Sequence, residues 1–414
     1  MIFLYRFLIN IVLILSPLII ALRLIKKKED PNRFKEKFCF FSEKRKKGKL
    51  IWFHGASVGE LQSIVPLLEK LNKDKQIKNI LITSNTLSSS KIINKFKIKK
   101  VIHQFFPIDN KSLSKKFIDY WKPSAVFFID SEIWPNTILN LYEKKIPLVL
   151  LNARITKKSF KKWNLINFFS KKIFSKISLS LASSYKSRKY LKKLGAKNIK
   201  LLGNLKYSQS ESDKIQINKK FKKFISSKKV WCASSTHSTE ELLCGSVHKK
   251  LKKKYKNLLT IIIPRHINRI NSIKEELNEL NLKIHTHEPK KRISKDTDIY
   301  LVNSYGQTKS FYNNCKNVFL GGSIINHGGQ NPLEATRYGC TILHGPNISN
   351  FEEIYNHLKK MKISSKIKNE KMMLSKLDTI IKKKTNSKKI QRNLKNLGHK
   401  ILNSTYKEIK SIII

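Results

Sequence analysis

Acidic residues are what this 414-residue chain lacks most: 28 Asp and Glu stand against 85 Lys and Arg, a formal net charge of +57. Such an excess has two readings. One is an anionic partner, either nucleic acid or an acidic lipid surface. The other is a drift of composition, because Lys, Ile and Asn are abundant throughout and the basic residues are spread along the chain rather than gathered in one tail. The spread favours drift, with attraction to anionic surfaces as its by-product. No RNA-binding signature, zinc finger or aromatic-plus-basic platform accompanies the charge, which leaves a nucleic-acid-binding protein as a weak alternative. Cysteine is also sparse, with five residues. Cys39, Cys232, Cys244, Cys315 and Cys340 form no CxxC pair, so neither a zinc site nor a disulfide framework is indicated, and they read as scattered reduced thiols in a cytosolic compartment. What is present suits globular cores: 40% of residues are hydrophobic and 10% aromatic, which excludes disorder of the whole chain. The length exceeds the roughly 250–300 residues at which single cores stop growing, so two domains are expected.

Residues Ile2 to Ile25 are almost entirely apolar, interrupted by Arg6, Asn10, Ser16-Pro17 and Arg23, and the run ends at Lys26-Lys27-Lys28. Phe7 to Leu22 supplies 16 residues between two arginines, marginal against the roughly 20 that a bilayer core requires. A short span and a deep interfacial helix both remain open, since arginines can snorkel to the headgroups. A cleaved signal peptide is disfavoured by the basic cluster after the run and by the lack of a small-x-small cleavage site. Lys26 to Lys28, with Arg33, Lys35 and Lys37, put the body on the cytoplasmic side.

From Leu50 onward short apolar runs alternate with helical patterns: Leu50–Phe53, Asn79–Thr83, Val101-Ile102, Ala125–Ile129, Pro147–Leu151 and Leu179–Ala182. A second series comprises Val230–Ala233, Leu258–Ile263, Lys283–His285, Ile299–Val302, Val318–Leu320 and Thr341–Leu343. Apolar strands separated by helices imply parallel sheets buried on both faces. The expected architecture is α/β, with two doubly wound lobes facing a cleft. The polar stretch Tyr207–Phe224 reads as the linker, and the Lys-rich tail from Lys359 to Ile414 as helical. The expected domains are an anchor over 1–28, an N-terminal lobe over 29–207, a C-terminal lobe over 208–390, and a closing helix over 391–414, for which packing back on the N-terminal lobe is one option.

Ligands in such sheets sit beyond the carboxyl ends of the strands, which singles out the motifs that follow them. His54-Gly55-Ala56-Ser57-Val58-Gly59-Glu60 opens a helix after a strand; it is neither a Walker loop nor a GxGxxG fingerprint. Glu60 reads either as a carboxylate complementing the helix dipole or as a general base, and alone the first is favoured. Asp130-Ser131-Glu132-Ile133-Trp134-Pro135-Asn136 sets two carboxylates at a strand end, where helix N-capping would explain either one singly. Gly203-Asn204-Leu205-Lys206 closes the first lobe. In the second, Ser234-Ser235-Thr236-His237 is followed by Glu240 and Glu241, read as a helix cap and a charged first turn. Pro264-Arg265-His266 offers an Arg able to take a phosphate bidentately. Gly321-Gly322-Ser323 and His327-Gly328-Gly329-Gln330-Asn331-Pro332-Leu333-Glu334 suit a phosphate near backbone amides and a carboxylate on ribose hydroxyls. Asp296-Thr297-Asp298 spells a DxD but precedes a strand, and reads as a solvated loop without a metal.

Taken in order, these segments resemble the 3-deoxy-D-manno-octulosonic acid (Kdo) transferases that glycosylate lipid A in Gram-negative bacteria. The resemblance runs from the N-terminal anchor and Arg33-Phe34-Lys35-Glu36 to about Phe351 and includes Asn152-Ala153-Arg154 and Gly345-Pro346. It implies the GT-B fold, CMP-Kdo as donor, the lipid A precursor lipid IVA as acceptor, inversion at the anomeric carbon, and a site on the cytoplasmic face of the inner membrane, with its anionic lipid surface as a partner. It implies no cofactor, no metal and no nucleic acid. By position, Glu60 matches the family's proton acceptor. Asp130, where the family usually has Glu, and Lys206 match its transition-state stabilisers. Pro264 and Arg265, then Tyr305, Gly306 and Gln307 (commonly Met-Gly-Glu), then Asn331, Pro332, Leu333 and Glu334 match the CMP-contacting positions. The departures at 130, 305 and 307 put a water-mediated Asp130 contact, and backbone-only contacts at the other two, among the expectations. Another GT-B transferase using a UDP-sugar is the closer alternative.

Overall fold

Runs of buried β-branched, leucine and aromatic residues form the strands, and every strand pairing is parallel. The computed structural model describes residues 1–96, 98–209, 218–288, 292–383 and 385–413. The chain divides into two units, Met1–Gln209 with Leu397–Ile414, and Ser210–Asn396.

The first unit carries helix α1 (Ile2–Ile25) and strands β1 (Leu50–His54), β2 (Asn79–Ser84), β3 (Val101–Phe105), β4 (Ala125–Ile129), β5 (Leu148–Ala153), β6 (Leu179–Ala182) and β7 (Ile199–Leu201). Their order is β3-β2-β1-β4-β5-β6-β7, so the winding reverses between β1 and β4. The helices used below are α2 (Val58–Asn72), α3 (Pro135–Glu143), α4 (Lys157–Leu165) and α5 (Asn167–Phe174). On one face Trp52 packs against Phe117 and Phe128, with ring centroids 5.0 and 5.7 Å away. Truncating a fully buried ring such as Phe128 to Ala costs about 3–5 kcal/mol.

The second unit repeats the plan. It begins with helix α6 (Lys219–Ser226). Strands β8 (Lys229–Thr236), β9 (Leu258–Pro264), β10 (Ile284–Thr286), β11 (Ile299–Leu301), β12 (Asn317–Leu320), β13 (Thr341–His344) and β14 (Ser364–Lys366) follow, in the order β10-β11-β9-β8-β12-β13-β14. Here the winding reverses between β8 and β12. Helix α7 (Glu240–Lys252) follows β8, and the final helix α8 (Ser387–Ile413) returns to the first unit. There Lys200 pairs with Glu408 at 2.7 Å and Lys410 with Asp74 at 2.6 Å.

Three expectations are corrected. Tyr207–Phe224 is not simply a linker: Tyr207 is buried in a short turn over Leu205–Ser208, and Phe221 and Ile225 are buried in the core of the second unit. Phe221, Phe224 and Ile225 form a helical apolar stripe that the surrounding lysines disguise; residues 210–217 of that stretch lie outside the described residues. The tail is not wholly helical, because β14 adds an edge strand beside β13. And the DxD segment is solvated only at Asp296. Asp298 is buried, accepting from the Lys283 amide at 2.9 Å and pairing with His248 Nε2 at 3.2 Å.

Candidate active site

In the first unit, chemistry gathers at the carboxyl ends of β1 and β4, where the sheet winding reverses. Ser57 caps α2 in a reciprocal capping box: its hydroxyl accepts from the Glu60 amide at 3.3 Å, while Glu60 Oε2 accepts from the Ala56 and Ser57 amides at 2.8 and 3.2 Å. The dipole-complementing reading of Glu60 is therefore realised, with one oxygen. The other, Oε1, has no hydrogen-bond partner among the described residues. Burial, then the negative charges of Asp130 and Glu132, push the Glu60 carboxyl above its ordinary range against the pull of the Ser57 contacts. A carboxylate half-secured by the backbone and made more basic by its surroundings is suited to accept a proton.

Asp130 does not cap a helix. Its backbone is left-handed, φ +57°, as is that of Asn152 at φ +54°. This is a conformation costing about 1–2 kcal/mol that Asn and Asp tolerate best. The two are joined: Asn152 Nδ2 donates to Asp130 Oδ1, and Asn152 Oδ1 accepts from the Leu205 amide at 2.9 Å. Asn152 lies in the register shift between Leu150 and Ala153, after which β5 pairs with β6 again at Ala153 and Ala182. Lys206 Nζ lies 3.5 Å from Asp130 Oδ2, and Asn204 fixes the Lys206 amide at 2.9 Å. Strained residues so held, with two buried side chains bridged, are what a positioned functional group looks like. The α3 N-terminus is capped from elsewhere: buried Asp109 accepts from the amides of Asn136 and Thr137 at 3.0 and 2.8 Å.

Glu132, the second carboxylate of that loop, has a separate set of partners. His54 Nε2 and Trp134 Nε1 lie 3.2 and 2.9 Å from Glu132 Oε2, and Thr83 Oγ1 lies 2.9 Å from His54 Nδ1. Trp52 Nε1 donates to the same Thr83 hydroxyl at 2.9 Å. A proton on His54 Nε2 satisfies the whole chain, with Trp52 and Thr83 donating towards the ring and the ring donating to Glu132. Sequence reading quoted His54 and Glu132 without giving either these partners.

In the second unit Glu240 is fully buried, and it takes four amides: His237 at 3.0 Å and Gly322 at 2.7 Å on Oε2, Ser323 at 3.1 Å and Ile324 at 2.9 Å on Oε1. It is thus no exposed charged first turn. Of the Gly321-Gly322-Ser323 amides expected to cradle a phosphate, those of Gly322 and Ser323 already bind this carboxylate, and that of Gly321 donates to the Ser234 carbonyl at 2.9 Å. Gly321 is required by close approach, since a Cβ there would stand 2.5 Å from the Ser235 carbonyl. The side chains left pointing outward are basic. The His237 ring is 4.5 Å from that of His327 and 5.6 Å from that of His266. Burial, then the neighbouring positive charges of His327, His266, Arg265 and Arg269, push His237 down to about 4. Its Nε2 is buried without a partner. This cluster, with the Arg265 guanidinium beside the three imidazoles, gathers N–H donors and positive charge that favour an anion.

The other CMP-position residues behave differently from one another. Arg265 is exposed, with its amide bonded to the Thr236 carbonyl at 2.9 Å; Pro264 is buried at the end of β9. Tyr305 is exposed, Gly306 has φ +81°, and Gln307 precedes the helix Thr308–Asn314. Asn331 Oδ1 accepts from the Leu333 amide at 3.1 Å just ahead of the helix Leu333–Arg337, and Leu333 itself is buried in the core. Asp109 was missed, and Glu240 and Asn152 were named without these roles, because most of their partners are distant in sequence: Ile324 lies 84 residues from Glu240, Asp130 22 from Asn152 and Asn136 27 from Asp109. Only their polarity beside apolar runs could have flagged them.

Two doubly wound parallel sheets in succession define the GT-B class of architecture. A solved structure of UDP-GlcNAc 2-epimerase from Neisseria meningitidis matches 88% of this chain and 99% of its own with TM-score 0.59 and 14% identity, which shows the fold alone. The profile of the 3-deoxy-D-manno-octulosonic-acid transferases (kdotransferases) matches residues 32–209. The 3-deoxy-D-manno-octulosonic acid transferase of Rickettsia bellii is 33% identical over 382 residues, 91% of this chain and 90% of that protein. That of Haemophilus influenzae is 28% identical over 401 residues, 95% and 93%. The chain belongs to the Kdo transferase family, and is a glycosyltransferase.

Proposed function

We propose that the chain transfers Kdo from CMP-Kdo to lipid IVA with inversion, Glu60 acting as general base at the membrane's cytoplasmic face. The observation that carries the base assignment is the Glu60 carboxyl itself, raised in proton affinity, with Oε1 unengaged. In the reaction an acceptor hydroxyl of a glucosamine unit loses its proton to Glu60. Its oxygen bonds to the anomeric carbon of Kdo as the bond from that carbon to the phosphate oxygen breaks, and CMP leaves with the electron pair. Lys206 and Asp130, paired at 3.5 Å, act as the transition-state stabilisers, with Asn152 as the positioning residue for Asp130.

CMP is assigned to the second unit through Pro264, Arg265, the Tyr305-Gly306-Gln307 turn and Asn331 to Glu334. Support comes from the Arg265 guanidinium next to the imidazoles of His237, His266 and His327, which together suit a phosphate. The buried Leu333 side chain and the Pro332 ring leave backbone contacts as the role of that pair. No metal and no cofactor enter the scheme. The test is incubation with CMP-Kdo and lipid IVA followed by mass spectrometry, with UDP-sugars in a parallel arm. One or more Kdo mass increments on lipid IVA are expected. Transfer from a UDP-sugar, or none from CMP-Kdo, removes the reading.

A further inference from the structure

The apolar N-terminal helix is long enough to cross a bilayer, 24 residues or about 36 Å at 1.5 Å per residue. Its length therefore does not decide whether it does. Its attachments do. Near its start, the Tyr5 hydroxyl donates to Asp109 at 2.7 Å, Arg6 to Asn136 Oδ1 at 3.1 Å, and Asn10 Oδ1 accepts from Asn110 at 2.8 Å. Near its end, Arg23 binds Glu29 at 2.9 Å; Lys37 binds the same carboxylate at 2.7 Å, and the Lys37 carbonyl accepts from the Ile108 amide at 3.0 Å. Tyr5 and Arg23 stand 18 positions apart, about 27 Å along the axis; the start is tied directly to Asp109 and the end, through Glu29 and Lys37, to Ile108. The helix thus runs along the body instead of out from it.

Its two faces agree. Shielded positions recur in three- and four-residue steps from Ile2 to Leu24, with Ser16 and Ile20 buried midway. The polar side chains Tyr5, Arg6, Asn10, Ser16 and Arg23 fall on this stripe or its border. The opposite face is apolar from end to end, with Phe3 80% and Ile14 76% exposed. Beside the N-terminal end, where the Tyr5 and Phe169 rings are 6.1 Å apart, Leu165 and Phe168 stand 86% and 82% exposed at the junction of α4 and α5. Lys157, Lys158, Lys161 and Lys162 lie on α4 just before them.

We propose that α1 lies flat in one leaflet of an anionic bilayer, and that Leu165 and Phe168 dip into the same leaflet beside its start. A perpendicular α1 would drag the Asp109, Asn110 and Lys111 segment that holds it into hydrocarbon, at about 2.5–3.5 kcal/mol for each charged group near the centre. The flat arrangement leaves those groups outside and buries the apolar face about 5–10 Å deep, while the α4 lysines meet anionic headgroups. It also keeps Asn136, the Arg6 partner that ends the Asp130–Asn136 loop, beside the leaflet. The inference rests on reading α1 as a membrane attachment, not on which sugar or acceptor is used, and the transfer assay above can fail independently.

The test uses the full chain in vesicles containing phosphatidylglycerol. All five native thiols are buried, so a polarity-sensitive fluorophore can be directed to a single introduced cysteine: Leu4→Cys, Ile14→Cys, Leu22→Cys, Phe168→Cys, and Lys75→Cys as a solvent control. Lipids carrying nitroxides at shallow and deep chain positions then report depth. Expected is quenching at 4, 14, 22 and 168 that is stronger with the shallow nitroxide at each, and none at 75. A profile deepest at 14 and shallow at 4 and 22, with 4 reached by aqueous quencher only from the far side, overturns the flat helix. An unquenched 168 overturns the second contact.

Discussion

Each unit places a glutamate at the start of the helix after its first strand: Glu60 after β1 and Glu240 after β8. Each lies beside the strand across which the sheet order reverses, β4 for one and β12 for the other. The difference is how completely the carboxylate is used. Glu240 is fully buried and spends both oxygens on four amides, fastening the loop after β12 to its own turn. Glu60 spends one oxygen on two amides and faces two other carboxylates. The same residue at the same topological place is a structural anchor in one unit and a reactive group in the other. Counting satisfied lone pairs separates them where residue type does not.

Four measurements bear on that contrast. The largest expected effect is on Glu60→Gln, which keeps a capping acceptor and removes the base; turnover should fall about 10²–10⁴-fold with CMP-Kdo binding retained. Because the Glu60 carboxyl is raised in the folded state, its contribution to stability is present below the ordinary range and lost as pH rises through the raised value. At neutral pH the variant should therefore melt no lower than the parent. Near-normal turnover would take the base role away from Glu60. Glu240→Gln should do the reverse, losing roughly 3 kcal/mol through amides left poorly paired. Thermal melting should show it as a drop of about 2–4 °C per kcal/mol; an unchanged midpoint would mean the four amides contribute little.

Smaller effects refine the first-unit site. Asn152→Ala releases Asp130 from its bridge and should lower kcat about 10- to 100-fold by misplacement, with KM for the donor little changed. A rise in KM alone would mean that Asn152 serves binding. Smallest is a shift in pH profile. Activity should rise with pH through the raised Glu60 value, so its acid limb lies above the ordinary carboxylate range. Asp130→Asn should move that limb to lower pH, and Glu132→Gln should move it less, in the order of their effects on Glu60. An unmoved limb in both would show that burial alone sets it.

Much of the fold was legible because buried parallel strands are written as short continuous apolar runs, as in Ala125–Ile129 and Leu258–Ile263. What escaped was short or disguised: β14, whose Ser-Ser-Lys carries no apolar signal, and α6, whose stripe sits among lysines. In the site, Glu60 and Asp130 could be named from their position after strands, but their electrostatic coupling and the Asn152 bridge depend on contacts across β1, β4 and β5. The glycine pair after β12 suggested a phosphate cradle for a sound reason, free amides at a tight turn. The Ser234 carbonyl that takes the Gly321 amide, and the buried Glu240 that takes those of Gly322 and Ser323, show themselves only in three dimensions.

Helix α8 gives the order of synthesis a bearing on the product. Lys49 donates to the carbonyl of Ile413 at 2.5 Å, and Gly398 abuts the Tyr207 carbonyl so closely that a Cβ would lie 2.3 Å from it. The first unit is assembled from two separated segments, one ending at Gln209 and one starting at Leu397, whereas the second is one uninterrupted segment. On the ribosome the second unit can complete its fold while the first waits, open along the flank that α8 will cover. A nascent chain stalled or clipped before residue 397 would thus leave an intact second unit attached to an unsealed first.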